Sequence, residues 1–272
     1  MTSKNLPLGM FDSGVGGLTV LREVVRQLPQ ESTIYFGDTA RVPYGSKSRD
    51  VIVRFSLEIG QFLIQEKVKM IVVACNTASA FALPALSARF DLPIVGVIAP
   101  GAHAALEATA AQRVGVIGTE GTIESQAYTE AIRRLNSRIQ VFGQACPLIV
   151  PLVEEGWLEK PVAREIVKEY LAPLLTHRID TLVLGCTHYP LLKGLLREIA
   201  GPKVRLIDSA QETARAVARK LEENHLKAPL GSKRVSRRFY VSDAPEKFEK
   251  IGRRFLGQAI SSVQCVDIGT WL

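Results

Sequence analysis

The sequence lacks most of the features that assign a chain to a class at once. No apolar run among its 272 residues approaches the about 20 needed to cross a bilayer as a helix. Met1–Leu8 contains no apolar stretch followed by a small-residue cleavage site, and the two absences together point to a soluble, cytoplasmic protein with no membrane partner. Cysteine is scarce, with four residues and no C-x-x-C pair, which argues against a disulfide framework and leaves reduced thiols free for chemistry. Structural zinc needs paired ligands in two clusters; Cys186 and His188 make half of one cluster, so no metal is assigned. The glycine-rich turn Asp12–Gly17 has neither the Lys-Ser/Thr ending of a P-loop nor the spacing of a dinucleotide fingerprint, and no cofactor is assigned either.

Negative charge is the other shortage, but only locally. The formal net charge is +7, and the segment His225–Arg254 carries nine Lys and Arg against three acids, leaving the remainder close to neutral. A basic segment can attract anionic partners. This one has no DNA-binding motif, so it reads as a solvated face, and nucleic acid is not expected as a partner.

What the sequence does have is a 47% share of hydrophobic residues, arranged in alternating strand and helix patterns that predict parallel sheets flanked by helices. Strands are predicted at Leu8–Phe11, Thr33–Phe36, Met70–Ala74, Ile94–Ile98, Val114–Gly118, Thr181–Gly185 and Val204–Ile207. Helices are predicted at Leu18–Leu28, Ser48–Glu66, Arg164–Thr176 and Ala210–Asn224, with another after Cys75 and a loop over Gly231–Arg238. The pattern repeats internally. Gly9–Ser13 is similar to Gly115–Thr119 at an offset of 106, Cys75 corresponds to Cys186 at 111, and the strand ending at Ile98 corresponds to that ending at Ile207 at 109. The expected fold is therefore α/β with two pseudo-symmetric lobes, each a mostly parallel sheet flanked by helices. The first lobe takes residues 1–98 and 208–272, the second residues 99–207.

Ligands of open parallel sheets sit beyond the carboxyl ends of the strands, where Asp12, Ser13, Cys75 and Cys186 all fall, so the site is expected in the cleft between lobes. Ile71–Thr77 and Thr181–His188 each run an apolar stretch into a cysteine followed by hydroxyl or amide residues. Each cysteine is expected just before a helix, whose dipole and free N–H groups would lower a thiol from its ordinary value of about 8.5. Two thiols approaching one site from equivalent positions make a two-base design suited to inverting a carbon centre. A buried apolar role is the alternative for either thiol alone; the duplicated context favours chemistry, whereas Cys146 and Cys265 have no such partner and read as structural. The glycine-rich turn forms an anion nest suited to a carboxylate. Pro43-Tyr44-Gly45 is by itself a turn signal, and Asn76, Thr77 and Thr187 can cap helices while leaving N–H groups for a ligand.

Four segments carry a resemblance: Phe11–Leu18, Val42–Gly45, Ala74–Ala78 and Leu184–Pro190. In this order they resemble the motifs of the cofactor-independent aspartate/glutamate racemase superfamily, and within it the glutamate racemases, over nearly the whole chain. The resemblance implies cofactor-free interconversion of L- and D-glutamate, supply of D-glutamate for peptidoglycan, and a homodimer. It implies Cys75 and Cys186 as the acid/base pair, with Asp12, Ser13, Tyr44, Gly45, Asn76, Thr77, Thr187 and His188 lining the substrate. Asp12 and His188 would assist the thiols, and Glu154, in Val153–Gly156, is a further candidate for that task. One methylene of pocket length separates glutamate from aspartate and cannot be read from the residues; the family motifs choose glutamate. Two other readings remain, a different reaction such as decarboxylation or hydantoin racemisation on the same scaffold, and a non-catalytic amino-acid-binding or nucleic-acid-binding protein.

Overall fold

The computed structural model describes residues 3–229, 231, 235–260 and 262–269. In chain order the elements are β1 (Leu8–Asp12), α1 (Leu18–Gln27), β2 (Thr33–Gly37), α2 (Arg49–Gln65), β3 (Met70–Val73), α3 (Asn76–Arg89), β4 (Ile94–Gly96) and α4 (Ile98–Ala108). The second half of the pattern runs β5 (Arg113–Gly118), α5 (Glu120–Glu124), α6 (Ala127–Leu135), β6 (Gln140–Ala145), α7 (Ile149–Glu154), α8 (Pro161–Thr176), β7 (Thr181–Gly185), α9 (Lys193–Ala200) and β8 (Arg205–Asp208). The chain ends with α10 (Ser209–Glu223), β9 (Arg237–Val241), α11 (Pro245–Leu256) and β10 (Val263–Cys265).

Two sheets form, with strand orders β10-β9-β2-β1-β3-β4 and β6-β5-β7-β8, and every strand pair is parallel. The inner order β2-β1-β3-β4 of the first sheet is that of the second, so the repeated sequence anchors occupy equivalent strands: β1 with β5, β3 with β7, β4 with β8. The chain after α10 extends the first sheet, β9 pairing with β2 and β10 with β9.

Side chains alternate across a strand, and helices cover both faces of a parallel sheet, so the strands read as continuous apolar runs. In β1, Leu8 and Met10 enter a core with α1 and α10, whereas Phe11 enters a second core beneath α2 and α3. In β7, Leu182 and Leu184 join the first of these cores and Val183 a third, under α4 and α6. The first core is thus shared by the two lobes, and it holds their inner faces together by burial of apolar surface.

Three local expectations need correction. Ile98 is not the end of a strand: β4 stops at Gly96 and Ile98 opens α4. Gly231–Arg238 is not a loop throughout, since Arg237 and Arg238 begin β9 and are held by the ladder to β2; residues 232–234 lie outside the described residues. Cys186 is not followed directly by an α-helix: a 3₁₀ turn, Tyr189–Leu192, intervenes before α9. Among the described residues no helix is long and apolar enough to cross a membrane.

Candidate active site

β1 delivers Asp12 to the carboxyl end of the first sheet, and the turn that follows folds back on it: the Gly14 N–H donates to Asp12 Oδ2 at 3.1 Å, and Tyr35 OH donates to the Gly14 carbonyl at 2.8 Å. Among the described residues the other carboxylate oxygen of Asp12 is buried without a hydrogen-bond partner. The same turn abuts the second lobe. A Cβ on Gly16 would lie 2.2 Å from Thr187 Oγ1 and 2.5 Å from His188 Nδ1, an approach that only glycine permits. Thr19 Oγ1 donates to the Thr187 carbonyl at 3.0 Å and ties α1 to the loop that follows Cys186.

Beside Asp12, two residues beyond the adjacent strand β3, Cys75 is the N-cap of α3; the Ala78 N–H donates to Cys75 Sγ at 3.4 Å, and Ser13 Oγ lies 3.9 Å from that sulfur. Asn76 opens the helix with its amide oriented from the other lobe: Tyr128 OH donates to Asn76 Oδ1 at 2.8 Å, and Asn76 Nδ2 is buried without a partner. Thr77 also reaches across, with Oγ1 2.9 Å from Thr119 Oγ1 and 3.2 Å from Thr122 Oγ1.

Cys186 closes β7 in a different setting. Its Sγ lies 3.9 Å from His188 Nδ1, and His188 Nε2 lies 3.0 Å from Glu154 Oε1, at the end of α7. Tyr44 contributes its ring and backbone, because its hydroxyl donates to buried Asp38. Gly45 sits where a Cβ would be 2.7 Å from Thr119 Cβ.

One cavity between the lobes is lined by Asp12, Ser13, Tyr44, Gly45, Cys75, Asn76, Thr77, Glu154, Cys186, Thr187 and His188. The two thiols therefore face a common space, approached from the ends of equivalent strands. Cys146 and Cys265 lie outside that lining; the first is buried and the second exposed. Among the described residues no group of three or more His, Cys, Asp or Glu converges to hold a metal ion.

The electrostatics correct one expectation. Burial pushes the Cys75 thiol up to about 12, with the neighbouring Asp12 charge adding to it, and the N–H groups of Ala78 and Ser13 do not offset this. Burial pushes Cys186 up as well, against the His188 N–H. Loss of water around a thiolate thus outweighs the start of α3, contrary to the lowering expected from the helix start. Burial likewise raises Asp12, in spite of the nearby His188 charge and the N–H groups of Gly17 and Gly14. Burial would raise Glu154 too, but its hydrogen bond and charge interaction with His188, with Lys247 beyond, hold its carboxyl below the ordinary range. The cleft therefore holds two protonated thiols beside a His–Glu couple.

Thr119 and Tyr128 were not singled out for the site by the sequence. Thr119 carried a signal, since it is the repeat equivalent of Ser13; Tyr128 carried none, because its contact to Asn76 spans the two lobes and is visible only once they pack.

Known proteins place this geometry in a family. Residues 9–217 match the family model Asp/Glu/Hydantoin racemase. The chain is 54% identical over 261 residues to glutamate racemase from Geobacter metallireducens, covering 96% of each. The structure of glutamate racemase isoform RacE1 from Bacillus anthracis superposes with a TM-score of 0.93 at 43% identity, over 97% of this chain and 98% of that one. That of the Francisella tularensis enzyme in complex with D-glutamate superposes with a TM-score of 0.92 at 38% identity, over 98% and 100%. With the family model matched over most of the chain and the relatives similar over nearly its full length, the chain belongs to the Asp/Glu/hydantoin racemase family and, within it, to the glutamate racemases.

Proposed function

We propose that the cleft interconverts L- and D-glutamate without a cofactor, by removing the α-proton with one cysteine thiolate and returning a proton from the other thiol on the opposite face. The observation that carries this reading is the lining of a single cavity by Cys75 and Cys186 from equivalent positions of two duplicated lobes. A racemase must treat both faces of one carbon alike, and two lobes of the same strand order supply two equivalent approaches. After each turnover the thiol and thiolate exchange roles, so the enzyme that has made D-glutamate is poised for the reverse reaction.

With both thiols raised by burial, ionisation has to accompany substrate entry. The α-ammonium of the amino acid brings positive charge into a site that holds the Asp12 carboxyl and two buried sulfurs, and an opposite charge within about 4–6 Å favours the ionised form. Asp12, with one oxygen unpartnered, serves the Cys75 side, as proton acceptor or as partner of the ammonium. His188, backed by Glu154, serves the Cys186 side, 3.9 Å from its sulfur. The carbanion-like transition state spreads charge into the α-carboxylate and needs preorganised donors there. The unpartnered Asn76 amide N–H and the hydroxyls of Ser13, Thr77 and Thr187 are available for that task and for the side-chain carboxylate, with Tyr44 and Gly45 closing the cavity.

Glutamate is the substrate proposed because the relatives above are glutamate racemases and the Francisella tularensis structure holds D-glutamate. The resemblance of the four motifs, rather than any of these relatives, implies that Cys75 takes the proton from D-glutamate and Cys186 from L-glutamate, in a cytoplasmic homodimer that supplies D-glutamate to peptidoglycan. The test is incubation of the purified protein with L-glutamate in deuterated water, with chelator and no added cofactor. Loss of optical rotation with deuterium entering the α-position is the expected result; no racemisation and no exchange would overturn the reading.

A further inference from the structure

The His188–Glu154 couple is assembled from the second lobe, yet both of its members rest on one helix of the C-terminal segment. Arg254 of α11 donates from Nη1 to the carbonyl of Val153 at 2.8 Å and to that of Glu154 at 3.1 Å. These carbonyls belong to the last turn of α7, where that of Val153 also accepts the Gly156 N–H at 3.1 Å and where a cation is favoured by the helix dipole. Just beyond, Gly156 adopts φ +76°, and a Cβ there would lie 2.7 Å from Arg254 Nη2 and 3.0 Å from Arg254 Cζ. A glycine is thus required both by the left-handed backbone and by the guanidinium seated on it. The next residue of α11, Phe255, is fully buried and meets the His188 ring edge-on, with centroids 5.0 Å apart and planes at 78°. Lys247, from the first turns of the same helix, adds positive charge towards the Glu154 carboxylate.

We propose that Arg254 and Phe255 are positioning residues for proton transfer at Cys186: Arg254 fixes the end of α7 so that Glu154 faces His188 Nε2, and Phe255 fixes the plane of the ring that presents Nδ1 to the sulfur. The proposal rests on the assignment of His188 and Glu154 to the Cys186 side. It gives part of the basic segment His225–Arg254 a task inside the enzyme, in place of a purely solvated face. It also explains why the chain returns to the first lobe after the second is complete: α11 packs on α1 and carries contacts that reach across the cleft to α7 and His188. Cys75 is placed differently, with Asp12 and Ser13 of β1 and its turn on one side and the Ala78 N–H of α3 on the other.

The experiment is a double-mutant cycle on the full-length protein, with Arg254→Met, Glu154→Gln and the double variant assayed for glutamate racemisation, and Arg253→Met, an exposed neighbour, as the surface control. Because a positioning error of about 1 Å can cost on the order of 100-fold and Arg254 is itself solvent-facing, Arg254→Met is expected to lower kcat by about 10-fold with KM little changed. Since Arg254 acts through Glu154, the double variant is expected to be no slower than Glu154→Gln by more than about twofold, a non-additivity characteristic of coupled sites. Arg254→Lys, which keeps the charge but loses the planar fork, is expected to recover part of the rate. In parallel, the 15N resonance of His188 Nε2 is expected to move in Arg254→Met towards its position in Glu154→Gln. Multiplying losses in the cycle, or a His188 resonance that stays where it is in the native enzyme, would overturn the proposal. Wild-type turnover in Glu154→Gln would instead remove the catalytic assignment of Glu154, and the resonance would still decide whether Arg254 positions it.

Discussion

The two thiol sites stand at equivalent ends of equivalent strands and yet are built differently. Cys75 follows β3, caps α3 directly, and has Asp12 and Ser13 for neighbours. Cys186 ends β7, is followed by a 3₁₀ turn rather than an α-helix, and has a histidine backed by a carboxylate. The shared strand order supplies the geometry, two approaches to one cavity. The differing neighbours supply the chemistry, because a substrate with a carboxylate, an ammonium and a side chain cannot present the same groups to both sides. On the proposed two-thiol reading, duplication sets where the bases stand, while the residues one or two positions beyond each strand end set how each base exchanges its proton.

The comparison breaks most severely if either base is removed. Cys75→Ala and Cys186→Ala are each expected to cost about 10²- to 10⁴-fold in racemisation rate, and Cys146→Ala to leave it near the native value; polarimetry on the purified variants checks this. Unequal cysteines, one dispensable and one not, would reduce the paired design to a one-base site.

Next in size is a stability effect to which Cys75 contributes alongside the equally buried thiols of Cys186 and Cys146. The Cys75 thiol is raised in the fold from about 9.0 to about 12, so the native state holds a proton that the unfolded chain releases. The stability this provides is fully present below pH 9 and is lost as pH rises through the window from about 9 to about 12. Denaturant unfolding across that window is expected to lose a few kcal/mol, and Cys75→Ala to lose measurably less; equal slopes would argue that Cys75 is not held neutral by burial.

Gly16→Ala tests the seam where the first-lobe turn meets the Cys186 loop. A Cβ there would collide with Thr187 and His188, and an overpacked contact costs about 1–3 kcal/mol. A lowered Tm together with reduced turnover is expected, and an unchanged Tm would mean that the lobes can separate at no cost. The smallest effect is expected from Tyr128→Phe, which removes the donor to Asn76 Oδ1. The loss of about 0.5–1.5 kcal/mol is expected mainly as a severalfold rise in KM, measured from initial rates.

Much of this was legible beforehand where a residue's role is local. The apolar runs at Leu8–Phe11, Met70–Ala74 and Thr181–Gly185 are strands because both sheet faces are covered, and matched offsets revealed the duplication because the two lobes share a strand order. β6 escaped notice because it is a sheet edge whose residues are exposed or only half-buried, without a continuous apolar run. The first two residues of β9 fall in the expected loop because Arg237 and Arg238 hide the strand pattern, though Arg238 ion-pairs with Glu66 at 2.5 Å. In the site, the residues within the four motifs fell together along with Glu154. The state of the thiols was misread, since a helix start is a sequence feature and the burial that outweighs it exists only after the lobes close. Tyr128, Arg254 and Phe255 act over separations of 52 to about 100 residues and leave no local pattern.

The most direct test of two thiols on opposite faces is the fate of the proton at low conversion. When native protein acts on L-glutamate in deuterated water, the account predicts that the first D-glutamate formed carries α-deuterium while the remaining L-glutamate keeps its protium. Deuterium appearing in unconverted L-glutamate as fast as in product, or protium retained in D-glutamate, would contradict it and point to a single base serving both faces.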